Sequence, residues 1–573
     1  MDKLKKLKKP LVKIVYLFFS AVLFILWLIA LFHISNLWRG DSDNAYLVIA
    51  GNAIAKGNYL LHGYYLSSLD PFYSIDMFVN ALFVKLLGFR PVVMHIAPLF
   101  LFLVFIFVSL LYLFDLKKKD ENGPAFKTGL FLFIAFLVFP SRGFAFWALQ
   151  EGMHLSAVIV SLAAFLLIDK FRKTRSYLFL ISGFLVLTAG FANDNVNVVI
   201  CGVPLIVLSL YYIFKEAFVN KRALNDNYNR NAKHIINVYV FIIVSVIAAF
   251  SLKELIFYEI KAHGGFILAP SGLVIAFVRL RYIINNIYLY INGMLTLLGV
   301  NLFGKYLFNL KTIIEIFKIV GLIIFVYGII SAAKKIKKPK DKDFIDLLLL
   351  GGMFFMSFAF LLSQMPVNGA SSRYLMPVAV FGFILAIRNF GYSTFINNFA
   401  DVKDDIKKSA AIDKDVKAVF LKIAAAVMLI TYSGSFILNA GAVIPKSPVK
   451  PLGKWLIKHD LTYGYGTYWD GGIVTLETKD RVKIRQLIAT GDGIIPYKWL
   501  CNKKWYKKKG FFVIYTEHFI WFNRQAIINA FGNPSKIYVE DFQGMLGRAF
   551  GRSSGRGTVA PYVIMVYKNG ILP

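Results

Sequence analysis

The chain has 573 residues, of which 58% are hydrophobic, 16% aromatic and only 17% charged, with a mean hydropathy of +0.61. A soluble domain is roughly half apolar and a quarter charged, so the composition excludes a soluble enzyme, a disordered chain, a collagen and a disulfide scaffold, and describes a polytopic α-helical membrane protein. The 65 Lys and Arg against 32 Asp and Glu give a net charge of +33, which in a soluble chain would point to nucleic acid but in a membrane chain points first to basic cytoplasmic loops.

The opening Met1-Asp2-Lys3-Leu4-Lys5-Lys6, followed by the apolar run Leu11 to Ile34, mimics a signal peptide. The run is too long for a signal h-region and no small-residue cleavage site follows, so it reads as a retained first span. Counting it, the apolar segments that approach a span's length of roughly 20 residues are 11–34, 92–114, 128–140, 154–169, 176–191, 196–214, 235–252, 312–332, 344–362, 374–389 and 418–436. Placing the six lysines of residues 3–13 inside puts the basic clusters at 117–127, 170–175, 215–233, 334–342 and 388–417 inside as well. The intervening segments are sparse in Lys and Arg, which predicts eleven spans in a plasma membrane, with the N-terminus cytoplasmic and the C-terminus outside.

Within the first outer loop, 35–91, helical spacing runs from Tyr46 to Lys56 and Gly57 ends it. The apolar stretch 76–88 is too short to span and is expected to lie along the outer surface. Residues Gly272 to Gly299, with Arg279 and Arg281, read as a second interfacial or re-entrant helix, or as an extra pair of short spans. From about 437 the pattern changes. Residues 446–573 carry 20 Lys and Arg against 8 Asp and Glu. Short apolar runs at 472–476, 482–484, 511–515, 536–539 and 562–567 read as strands, with a helix at 517–531. The expected organisation is a transmembrane domain, 1–436, and a small extracytoplasmic α+β domain, 437–573. Cys201 and Cys501 are too few and too differently placed to form a framework.

Ionisable groups at the edge of an apolar phase are costly and therefore mark candidate sites. The outer side collects Asp41, Asp43, Asp70 and Asp76, then Glu151 and His154, then Asn193-Asp194-Asn195, and finally Asn368 to Tyr374 with Arg373. Asp41 and Asp43 fit a general base or a metal site, and one of them fits a helix N-cap. Arg373 fits a phosphate clamp through its planar fork or simple snorkelling at a helix end. Glu151 and His154, three residues apart, fit a polar-substrate site or a hydrogen-bonded structural pair. No three-ligand cluster with metal spacing and no phosphate-binding glycine loop appears. No cofactor is therefore required, and metal dependence stays open.

Taken in order, these motifs resemble the GT-C fold of membrane glycosyltransferases that use lipid-linked sugars. The likeness is to the protein O-mannosyltransferase and lipid A aminoarabinose transferase (family 39-like) group. There the first span is followed by an acidic pair, a Tyr and a helix closing on Gly. Here Asp43 stands three before Tyr46 and Gly57 eleven after it, while Ser42 occupies the place of the first acid and Asp41 lies one residue upstream. Leu69 to Gly88 resembles the family's surface helix without its Lys-Pro-Pro. Asn193-Asp194 resembles a Ser-Asp before a later span, and Ser372-Arg373-Tyr374-Leu375-Met376-Pro377 resembles an Arg-Tyr-x-x-Pro span opening. The resemblance implies transfer of a sugar from a polyprenyl-phosphate donor to a hydroxyl or amine of a lipid, glycan or protein, with inversion. Asp43, or else Asp41, would be the base. Arg373, with Arg279 or Arg281, would hold the donor phosphate. Asp70, Asp76, Glu151, His154, Asp194 and Tyr46 would line the substrate site. The rival reading, a secondary transporter or flippase of an envelope precursor, predicts mid-span charges and related halves, which the sequence does not display.

Overall fold

The structure is a computed structural model that describes residues 2–38, 40–120, 124–219, 226–268, 276–306, 308–337, 343–389, 410–445, 447, 449–491, 493–516, 522–542 and 561–573. Among these, seven helical stretches are long and apolar enough to cross a membrane: Tyr16–Leu37, Val93–Asp115, Val198–Ala217, His234–Ala262, Leu310–Lys337, Phe344–Leu362 and Gly369–Asn389. An eighth is the pair Phe126–Val138 and Arg142–Ala148, bent by 68°. The bend follows from Pro140, which removes a backbone donor. The helix restarts where the Ser141 hydroxyl accepts from Phe144 N at 3.1 Å. Large side chains such as Leu17, Leu23, Leu178, Ile247 and Ile323 are exposed on the helix flanks, as expected where hydrocarbon is the solvent. The protein is a multi-pass membrane protein.

The count of seven or eight is lower than the eleven spans expected from sequence. The remaining three segments fall on helices of a different kind. Tyr177–Asn193 is apolar but has 17 residues, and the apolar part of another is Ala426–Ala440. Leu155–Thr174 ends on Asp169, Lys170, Arg172 and Lys173, which shortens its apolar stretch. At the bundle end away from the first loop, Arg388 Nε meets Asp346 at 2.6 Å and its Nη1 meets Asp115 at 3.1 Å, and Lys335 also pairs with Asp346. Four helical stretches are tied there by a paired cluster, which is how charge is tolerated beside an apolar core.

The loop after the first span is built, not loose. Helix Ser42–Ala55 begins with a reciprocal capping box: Asp41 Oδ1 accepts from Asn44 N at 3.2 Å, and Asn44 Oδ1 from Asp41 N at 3.3 Å. It ends as Gly57 takes a positive φ of 92°. The surface helix expected at 76–88 is a π-turn, Tyr73–Met77, running into helix Phe78–Leu87. The two helices touch closely at Gly51, where an added Cβ would stand 2.7 Å from Asn80 Cβ and 2.9 Å from Ala81 N. Gly51→Ala is expected to lower stability by about 1–3 kcal/mol despite its better helix propensity, read as a lower melting temperature in detergent. A short strand, β1 (Tyr65–Ser67), pairs in parallel with β2 (Phe266–Leu268), zipping the first loop to the later 253–311 loop. In that later loop the described residues form one amphipathic helix, Ile283–Leu298, closed by Gly299 at φ 73°. Residues 272–275 of the predicted stretch lie outside the described residues.

The tail folds around a six-stranded mixed sheet in the order β5-β4-β3-β6-β8-β7. Its strands are β3 (Tyr463–Thr467), β4 (Lys483–Thr490), β5 (Gly493–Pro496), β6 (Gly510–Thr516), β7 (Lys536–Glu540) and β8 (Tyr562–Ile571). β3 runs parallel to β4 and β6, and the other pairs are antiparallel. Four of the predicted strands are present, but 472–476 belongs to a helix, Tyr468–Glu477. The predicted 517–531 helix is Arg524–Phe531, and its first five residues lie outside the described ones. Cys201 and Cys501 are free and buried.

This tail is docked on the first loop. Gly471 and Gly472 of helix Tyr468–Glu477 lie against the Tyr46 ring, where a Cβ on Gly472 would come within 2.8 Å of Tyr46 Cε2. Backbone bonds Lys503 N to Gly63 O at 2.7 Å and Tyr65 N to Cys501 O at 2.9 Å stitch the same junction.

Candidate active site

A cavity of about 710 Å³ opens between the first loop, the 3-10 turn Gly369–Leu375 and the tail sheet. Its walls carry Asp43, Asp70, His154, Arg373, Tyr468 and Trp499. Asp43 is in the first turn of helix Ser42–Ala55, a position that suits a carboxylate. The Tyr468 hydroxyl donates to Asp43 Oδ1, and Oδ2 has no hydrogen-bond partner among the described residues. Tyr468 is held by stacking on Tyr46, with ring centroids 5.3 Å apart and planes 19° apart. The tail domain thus places a hydroxyl directly on a first-loop acid.

Asp41 lies two residues away but does not line the cavity. Its carboxylate caps the helix. Burial first, and then the neighbouring Asp43 charge, push it up to about 7, against the lowering effect of the Asn44 N–H and of Arg373. Asp70 does line the cavity and accepts from Ser67 Oγ at 2.7 Å. Burial raises it to about 6 although that hydrogen bond opposes the shift. A carboxyl raised in the folded state is favoured when protonated. Stability should therefore be fullest below about pH 4 and decline as pH rises through about 6 to 7. Asp70→Asn is expected to flatten part of that decline in a melting series from pH 4 to 8.

Arg373 faces these acids without pairing with one. Its Nη2 donates to the Tyr374 hydroxyl at 3.3 Å, and its guanidinium lies 5.1 Å from the Tyr374 ring centre. No carboxylate stands within 4.0 Å of it among the described residues, and Nε is buried with no partner. His154, at φ 64°, donates or accepts through Nδ1 at 2.5 Å from Asp194 Oδ2, and its ring lies 4.8 Å from that of Tyr374. Asp194 is behind His154 and does not reach the cavity wall.

The other expected site residues lie elsewhere. Asp76 and Glu151 are buried beneath the cavity in a polar network. Asp76 Oδ2 accepts from Asn193 Nδ2 at 2.6 Å and Ser156 Oγ at 2.7 Å, and Glu151 Oε2 accepts from Asn80 Nδ2 at 2.9 Å. Burial raises both carboxyls, Glu151 well above the ordinary range. Asn193 also receives Ile75 N at 2.9 Å, so the network fixes the surface π-turn to the end of helix Tyr177–Asn193. Tyr46 is fully buried and supports Tyr468 from behind. Arg279 and Arg281 are exposed and do not line the cavity, with Arg281 stacked 4.7 Å from the Tyr282 ring. They precede helix Ile283–Leu298, in a segment bridged to Ser363 through Phe277. Sequence reasoning missed Tyr497 and Trp499, which line the cavity from the tail. Their one signal is the aromatic-basic run Tyr497-Lys498-Trp499 after Pro496. Among the described residues no group of three His, Cys, Asp or Glu side chains is placed to hold a metal ion.

The fold is similar to that of ArnT. A crystal structure of ArnT from Cupriavidus metallidurans bound to undecaprenyl phosphate superposes with a TM-score of 0.53 at 12% sequence identity, covering 97% of this chain and 98% of that one. No family model matches the chain, and no curated protein matches it in sequence. The likeness to ArnT is one of fold, spanning both the helical bundle and the tail domain. It shows the fold alone and does not single out a family.

Proposed function

We propose that the protein is a membrane glycosyltransferase that moves a sugar from a polyprenyl-phosphate donor to an acceptor hydroxyl or amine at the non-cytoplasmic face, with inversion at the anomeric carbon. The observation that carries this reading is the convergence of Asp43 and Arg373, 330 positions apart in the chain, on one cavity. The ArnT likeness adds a fold whose relative was captured with undecaprenyl phosphate. On this reading the chain spans the membrane eleven times, with the tail outside.

In the proposed reaction Asp43 takes the acceptor proton through Oδ2, the carboxylate oxygen that Tyr468 leaves open. The acceptor oxygen or nitrogen forms the new bond to the anomeric carbon. The bond from that carbon to the phosphate oxygen breaks with its electron pair, and the polyprenyl phosphate leaves. Arg373 meets the charge that develops on the phosphate. Its lack of a carboxylate partner leaves the guanidinium unneutralised for that role. Between the two acids, Asp43 is the better base, because Asp41 spends its carboxylate on the helix cap. Apolar walls from Leu47, Phe72, Met365 and Ile488 would exclude water from the reacting centre.

The test is mass spectrometry of envelope lipids and glycans from a deletion strain complemented with wild type or with Asp43→Asn. A glycoform missing in the deletion, restored by wild type and absent with Asp43→Asn, supports the reading. A full set of glycoforms in the deletion strain sinks it.

A further inference from the structure

Beside the site above lies a second cavity of about 490 Å³, and the 3-10 turn Gly369–Leu375 separates the two: Asn368 and Ala370 line both. Its charges do not balance. Arg142, Lys305 and Lys318 face it together with a single acid, Glu315, and that acid is ion-paired with Lys305. Arg142 and Lys318 have no ion pair within 4.0 Å among the described residues.

Lys318 is the unexpected member. It lies inside the apolar stretch Leu310–Lys337 and is 1% exposed. A charge buried at such a position needs a partner or a use. What it has is the face of Tyr432, 5.0 Å from the ammonium, and the end of helix Ile283–Leu298, where Gly299 leaves it room: a Cβ there would stand 3.2 Å from Nζ. A helix C-terminus and an aromatic face offset part of a positive charge. They do not use the ammonium's hydrogen-bonding capacity. The nearest carboxylate by sequence, Glu315, is taken. Two cations are left over, one an ammonium and one a guanidinium, which matches the charge and the donor geometry of a phosphomonoester dianion.

We propose that this second cavity is a phosphate site distinct from the Arg373 cavity, in which Lys318 and Arg142 hold the phosphomonoester of a second ligand. The inference does not depend on the transfer reaction proposed above. If that reaction is correct, the second phosphate belongs on the acceptor side of the Gly369–Leu375 wall. The ligand can reach the site as a lipid headgroup or as a free phosphate.

Equilibrium binding separates the cases without any turnover. The full chain is placed in phosphatidylcholine nanodiscs and titrated with labelled farnesyl phosphate in one arm and with labelled inorganic phosphate in the other. The Arg373→Met variant serves as background, to remove the first cavity. One saturable site is expected to remain there, and to weaken about tenfold or more in Arg373→Met/Lys318→Met and in Arg373→Met/Arg142→Gln, the loss of one charge-assisted contact each. Saturation by farnesyl phosphate that millimolar inorganic phosphate does not displace assigns a lipid headgroup, and saturation by both assigns free phosphate. The proposal is overturned if neither probe binds the Arg373→Met protein, or if both second substitutions leave binding unchanged. Arg142 is exposed, so its variant tests the idea even if Lys318→Met disturbs the fold.

Discussion

Asp43→Asn is expected to abolish glycosyl transfer, by roughly 10²- to 10⁴-fold, while leaving membrane insertion and melting temperature close to wild type. Asparagine keeps the shape of the side chain and can still accept the Tyr468 hydroxyl hydrogen bond. It cannot take a proton. Its first-turn position in helix Ser42–Ala55 loses only the small stabilisation of a negative charge near a helix N-terminus. Asp41→Asn is the informative companion. Asparagine is as good an N-cap as aspartate, so the cap to Asn44 N survives. The ionisable neighbour beside Asp43 disappears, while Asp43 itself is kept. Transfer should therefore change by less than about tenfold, the shift of an electrostatic neighbour and not the loss of a base. In-membrane transfer from a synthetic polyprenyl-phosphate sugar would read both variants. A large loss in Asp41→Asn with a small one in Asp43→Asn would move the base to Asp41, and retained transfer in the double variant would end the assignment of either.

The same pair shows how far the sequence could be read. That two acids follow the first span, and that Arg373 opens a late one, is visible in the chain. What separates base from cap is the docking of Tyr468 from a domain more than 400 residues away, and no local pattern announces such a contact. Long apolar runs were legible because lipid imposes a length on them. The count was less so, since a charged end as in Leu155–Thr174 or a proline break as at Pro140 makes a helix without making an evident span. In the tail, Ile473-Val474-Thr475 reads as strand because β-branched residues favour one. It is helical because Gly471 and Gly472 let that segment lie flat on Tyr46, a tertiary contact that overrides propensity. Asp76, Glu151 and Asn193 look like site residues for the same reason that Asp43 does, being polar groups at an apolar edge. Asn193 donates to Asp76, and Asn80 donates to both Asp76 O and Glu151, which makes them a buried brace. Arg279 and Arg281 are exposed and stand outside the cavity, and nothing in the sequence tells whether an arginine at an apolar edge meets solvent or a site.

Removing Arg373 should cost far more activity than stability. Arg373→Met is expected to cost about 10²–10³ in kcat/KM, the range seen when a donor aimed at developing charge is deleted. Arg373→Lys should recover little, because an ammonium cannot present the planar fork that a phosphate accepts. A structural arginine behaves otherwise: it is paired, and its loss strands a buried carboxylate and lowers stability. Here the guanidinium has no carboxylate within 4.0 Å among the described residues, and its Nε is buried without a partner. Methionine fills the same apolar-stemmed volume beside Tyr374, and the lost attraction to Asp41, Asp43 and Asp70 involves no direct ion pair, so the melting temperature of Arg373→Met should fall only slightly below that of wild type. The two measurements must be made on one preparation. A variant that melts far lower and still transfers sugar at the wild-type rate would show Arg373 to be a brace, and would remove the phosphate clamp from the proposed reaction.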